Sequence, residues 1–243
     1  MSKPTAETYA ELQQAYDMFN ARLFDSELPE CLITLQREKK AYGYFSAERF
    51  GNRAGEKTDE IALNPCYFAV VPLLEIMQTI VHEMAHLWQY HHGNPGRTRY
   101  HNTEWANKME KIGLMPSSTG QPGGKRTGDA MADYPIGGGL FLSACRELLT
   151  SDFKISWYDR FASANAVKAG QNSFALSIDL DMPGGVTIAS EDGIEMASAT
   201  TLSAAENKSN RSKYTCRCDI NVWGKPGLNL SCGDCGNSFV ELP

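Results

Sequence analysis

Five histidines occur in the 243 residues, and two of them stand four apart in His82-Glu83-Met84-Ala85-His86. On an α-helix, which repeats every ~3.6 residues, positions four apart lie one above the other. Their imidazoles can therefore reach one metal ion from the same side. Glu83 leans toward the open coordination position, where a carboxylate can take a proton from a water on the metal. This pattern supports zinc-dependent hydrolysis. It requires a third ligand, because a catalytic zinc takes three protein ligands and keeps one position open.

The candidates are His91, His92, His101 and Glu104. At ~100° per residue, His91 and His92 point away from the His82–His86 face if the helix continues. His92 stands where one known pattern puts its third histidine after a glycine-centred turn, but Gln89 occupies the glycine position. Gly93 is the better helix stop. Glu104 would follow the pattern in which a later helix contributes a carboxylate. His101 stands three positions before Glu104, and a neutral imidazole is the simpler ligand. His101 is therefore expected to complete the site, with Glu104 placed to orient it from behind.

The elements that must position these residues are legible in outline. Residues 72–92 carry Leu73, Ile76, Met77, Ile80, Met84 and Leu87 at helical spacing. A second helix is expected from Asn102-Thr103 to Ile112, with Trp105, Met109 and Ile112 on its apolar face. Upstream, Tyr9, Leu12, Tyr16, Phe19 and Leu23 make the stripe of a helix over residues 5–24, broken by Leu28-Pro29. Strands are expected over 32–36, 42–46 and 60–64, and a small antiparallel sheet is the economical arrangement.

Residues 116–139 read as loop, since Gly and Pro dominate them. Gly123-Gly124-Lys125 makes no phosphate loop, having no strand before it and no proper helix after it. A short helix is expected over 140–149 and a strand pair over 173–188, joined at Pro183-Gly184-Gly185. Residues 162–212 are rich in Ala, Ser, Thr and Asn and read as a tether or loosely packed insert.

Four of the seven cysteines cluster near the C-terminus, as Cys216, Cys218, Cys232 and Cys235. Two thiolate pairs separated by a hairpin-sized segment suit a tetrahedral structural zinc on which a small unit depends for folding. Cys232-Gly-Asp-Cys235 has no βαβ context that would favour a redox role. Val222, Trp223, Leu228 and Leu230 are expected to form the hairpin's core. Lys208, Arg211, Lys213 and Arg217 make this end locally basic, so it could guide DNA or RNA phosphates.

The order of helix, strands, His82-Glu83-Met84-Ala85-His86 and then Tyr100-His101-Asn102-Thr103-Glu104-Trp105 resembles the SprT-like zinc metallopeptidases, which are related to Spartan. The resemblance covers the first half of the chain and extends to a C-terminal zinc ribbon. It implies an α+β, zincin-like domain with helices packed on the small antiparallel sheet. It also implies His82, His86 and His101 as zinc ligands, Glu83 as general base, and proteins held on or crosslinked to DNA as substrates. Tyr100 and Asn102 stand where the family commonly has glycines. The expected organisation is a metallopeptidase domain over 1–116, a loop and insert over 117–212 and the ribbon over 213–243. Two zinc ions are expected, one catalytic and one structural.

Composition narrows the alternatives. A net charge of −6 and a pI near 5.4 exclude a generally phosphate-binding surface, so any nucleic-acid contact must be local. No apolar run approaches the ~20 residues that span a membrane, and residues 1–7 carry no apolar signal segment. With scattered Cys31, Cys66 and Cys145, the cysteine pattern suits a reduced compartment. A cytoplasmic or DNA-associated location follows as the expectation. The rival reading is a non-catalytic, zinc-containing module that binds nucleic acid or protein.

Overall fold

The computed structural model describes residues 3–38, 41–151, 153–174 and 211–242. They fall into two compact units, one within residues 1–204 and the other within 205–243. Most of the strand pair expected over 173–188, and Lys208, lie outside the described residues.

In the first unit, Pro4 starts α1 (Pro4–Leu23), where a proline's missing N–H costs nothing. Its buried stripe is Leu12, Ala15, Tyr16, Phe19 and Leu23, while Tyr9 at the outer end stays 40% exposed. Three strands follow: β1 (Leu32–Leu35), β2 (Gly43–Gly51) and β3 (Lys57–Leu63). The sheet is not purely antiparallel as expected. Its order is β1-β3-β2, with β1 parallel to β3 and β2 antiparallel to it. Ile61, Ala62 and Leu63 are at most 1% exposed, so the central strand is the most buried of the three. The β2–β3 hairpin is closed by Asn52, whose Oδ1 accepts from Ala54 N–H and Glu56 N–H. β1 pairs along the far edge of β3.

Helix α2 (Leu73–His92) buries Ile76, Met77, Ile80, Val81, Met84, Ala85 and Leu87. It runs unbroken through Gln89 and stops at Gly93. Helix α3 (Thr103–Ile112) is capped by Asn102, whose Oδ1 accepts from Trp105 N–H at 3.0 Å. None of the described helices is long and apolar enough to cross a membrane.

The stretch expected to be loop is a structured part of this unit. Strand β4 (Leu114–Ser117) pairs antiparallel with β5 (Ala132–Pro135), so the boundary expected at 116/117 falls inside a strand. Helix α4 (Leu140–Leu149) forms where a short helix was expected, and α5 (Ala164–Phe174) occupies part of the stretch read as a tether. Phe141, Leu142, Cys145, Leu148, Phe153, Ala162 and Ala166 are buried in the same core as α1, α2 and α3. Glycine-rich composition misled here because a few apolar residues are enough to dock a segment on an existing core.

Gly113 shows how tight that docking is. It ends α3 at φ 97°, and a β-carbon there would lie 2.8 Å from the backbone nitrogens of both Leu140 and Phe141. Gly113→Ala would combine left-handed strain with overpacking and should cost about 2–4 kcal/mol of stability. Urea denaturation will show it as a lowered midpoint.

The second unit is a three-stranded antiparallel sheet of β6 (Ser212–Thr215), β7 (Asn221–Gly224) and β8 (Val240–Leu242), in the order β7-β6-β8. Its core differs from the expected one. Trp223 and Leu228 are 62% and 43% exposed, whereas Tyr214 is 1% exposed. The Tyr214 hydroxyl donates to Lys225 O and accepts from Leu228 N–H, closing the loop after β7.

Candidate metal centres

Three side chains converge in the first unit. His82 and His86 lie one turn apart on α2, and His101 comes from the segment before α3, where it bridges to Gly128. The Nε2 atoms of His82 and His101 are 3.3 Å apart, and those of His86 and His101 are 3.1 Å apart. One ligand atom from each of the three lies within 4.8 Å of the others.

The outer nitrogens decide what those Nε2 atoms can be. His82 Nδ1 is 2.8 Å from Asp133 Oδ2, and His101 Nδ1 is 3.1 Å from the Gly128 carbonyl. A carboxylate and a carbonyl only accept, so both Nδ1 atoms carry protons, and when the imidazoles are neutral both Nε2 atoms present lone pairs. Lone pairs facing at 3.3 Å repel. Only a shared proton or a metal cation between them relieves this, and three imidazole donors suit zinc.

Charge follows the same logic. Burial, with His82 and His101 nearby, holds His86 well below the ordinary imidazole value. Burial and the neighbouring His82 bring His101 to about 4. For His82 burial also lowers the pKa, but the Asp133 hydrogen bond and the Glu83 charge carry it above normal. Burial pushes Glu83 up to about 7, opposed by His82 and by the Phe45 N–H that donates to its carboxylate. Gly43 lets β2 pass this close, since a β-carbon there would meet Ala62 O at 2.8 Å and Glu83 Cγ at 3.4 Å.

Other candidates lie elsewhere. Glu104 Oε2 accepts from Asn94 N–H (2.7 Å) and Gln89 Nε2 (2.8 Å), bonds that lower its pKa. It fastens the α2–α3 connection and does not orient His101 as expected. His91 pairs with Asp59 at 2.6 Å, and His92 Nε2 lies 3.1 Å from Glu27 O.

Two neighbours escaped the sequence reading of the site. Asp133 lies in a stretch with no periodic signal, 51 positions from its partner. Trp105 was assigned only to a core face. Its fully buried ring is the floor under all three imidazoles, at 4.9, 5.3 and 4.5 Å between centroids for His82, His86 and His101.

In the second unit, the sulfurs of Cys216, Cys218, Cys232 and Cys235 all lie within 4.8 Å of one another. Two tight turns present them. Cys216 O accepts from Asp219 N–H, with Asp219 at φ 59°, and Cys232 O accepts from Gly236 N–H, with Gly236 at φ 68°. Backbone and side-chain donors of Asn237 bring the Cys235 thiol down to about 6, which favours the thiolate a metal needs. Both groups of residues are consistent with zinc.

Fold and sites together define an α+β protein with a three-histidine candidate metal centre and a separate four-cysteine centre. The chain belongs to the SprT-like family, whose model matches residues 12–123. It is similar to an uncharacterized protein in the mucB 3′ region of Salmonella typhimurium. The two are 64% identical over 59 residues, which is 24% of this chain and 80% of that protein. No solved structure matched the chain.

Proposed function

We propose that this protein is a zinc-dependent metallopeptidase of zincin-like fold, with His82, His86 and His101 as ligands and Glu83 as general base. The observation that supports this best is the convergence of three Nε2 atoms, His101 lying 3.3 Å from His82 and 3.1 Å from His86, with the buried Glu83 next in sequence to His82. Bound there, zinc would supply Lewis acidity toward water and toward the scissile carbonyl. Glu83, steadied by the Phe45 N–H, takes the proton from the attacking water and hands it to the leaving amine. Trp105 excludes water from behind the imidazoles.

The proposal extends to proteins on DNA as substrates, by family resemblance. It also extends to the four-cysteine unit as a structural zinc ribbon that contacts DNA. Lys213 Nζ lies 6.0 Å from the ring centre of the exposed Trp223, and Arg211 and Arg217 are exposed on the same short segment. Cation and aromatic face together suit a nucleic-acid strand.

Metal removal tests the catalytic reading. The zinc-loaded full chain should cleave casein or a DNA-bound protein. Phenanthroline should abolish cleavage, and added zinc should restore it. A zinc-loaded chain that cleaves neither substrate yet still binds DNA would leave the non-catalytic binding module as the function.

A further inference from the structure

One short stretch of chain, residues 128–133, holds the outer nitrogens of two of the three histidines. The Gly128 carbonyl accepts from both the backbone N–H (2.9 Å) and Nδ1 (3.1 Å) of His101, and Gly128 N–H returns a bond to His101 O at 3.1 Å. Asp133 Oδ2 accepts from His82 Nδ1, and the Asp133 carbonyl accepts from Gln78 Nε2 (2.7 Å), one turn before His82 on α2. The Asp133 side chain is only 4% exposed. Its other oxygen, Oδ1, is buried with no hydrogen-bond partner among the described residues.

A buried carboxylate with one oxygen unsatisfied is a cost to folding. Stability alone would favour an amide or an apolar residue there. The carboxylate does two things that those residues would not. It forces the proton of His82 onto Nδ1, and it raises the basicity of the Nε2 lone pair.

We infer that Asp133 is a positioning residue of the histidine metal centre, supplied by β5 from outside the 12–123 segment that the family model matches. This rests on the reading of His82, His86 and His101 as zinc ligands. It makes the 124–135 stretch a working part of the site, not an insert beside it.

The test compares full-length wild type, Asp133→Asn and His82→Ala by zinc competition with a chromogenic chelator, by cobalt(II) absorption and by thermal unfolding with and without metal. Asp133→Asn should weaken zinc at the histidine centre by about 10- to 100-fold. The four-cysteine zinc, an internal reference, should not move. The cobalt spectrum should change, and the metal-free melting temperature should equal or exceed that of wild type. Unchanged affinity and spectrum in Asp133→Asn would overturn the assignment. So would an equal loss of melting temperature with and without metal, the mark of a merely structural role. If wild type and His82→Ala bound the same number of zinc ions, the reading of the histidine centre itself would fall, and this assignment with it.

Discussion

Replacing Glu83 by glutamine will cut peptide-bond hydrolysis by about 10²- to 10⁴-fold, the range that a positioned general base contributes, while zinc content stays that of wild type. Glutamine keeps the shape of the side chain and can still accept from the Phe45 N–H. It cannot take a proton from water. Nor does it disturb the three Nε2 atoms, because Glu83 is not among the converging ligand atoms. The variant should also be no less stable than wild type without metal. Burial raises the Glu83 pKa to about 7, so the ionised carboxylate is a charge the interior disfavours. Turnover on casein, zinc analysis and a thermal melt on one preparation check all three points. Activity within tenfold of wild type would place the base elsewhere.

Replacing Cys232 by serine will unfold the second unit. Three strands of three or four residues around Tyr214 cannot hold a fold by burial alone. Structural zinc contributes about 10–16 kcal/mol of folding free energy in units of this kind. Without one thiolate the turn at 232–236 loses its anchor, and the amide resonances of residues 211–242 should collapse to the unfolded range. Bound zinc should fall by one ion per chain. The first unit has its own core of α1–α4 and β3 and should keep its melting transition. A Cys232→Ser protein with dispersed resonances over 211–242 would show that the sheet folds without metal.

The two variants probe features that differed in how far sequence revealed them. The His82–His86 pair was legible because helical spacing and an apolar stripe occur in the same twenty residues. His101 could be chosen because Asn102 marks the start of the next helix, which limits where the preceding residue can go. The four cysteines announced themselves by spacing alone. Trp223 did not show its exposure. Which face of the β6–β7 hairpin is covered depends on where the rest of the chain passes, and Tyr214 fills the interior instead.

The same division runs through the first unit. Local pattern determined the helices, the approximate strands, the histidine motif and the candidate metal-ligating cysteines, because each depends on residues near one another in sequence. Tertiary structure decided the rest. Placing β3 at the centre made the sheet mixed, since burial of Ile61 and Leu63 outweighs the simpler order of neighbours in sequence. Packing on the core turned the apparent loop over 116–139 into a strand pair and placed a helix, α5, in the stretch read as a tether, while the helix expected over 140–149 formed as α4. Only that packing brings Asp133 and Gly128 to the outer nitrogens of His82 and His101. A hydrogen bond across 51 residues leaves no periodic trace in the chain, because its two partners meet through the fold and not through any shared element.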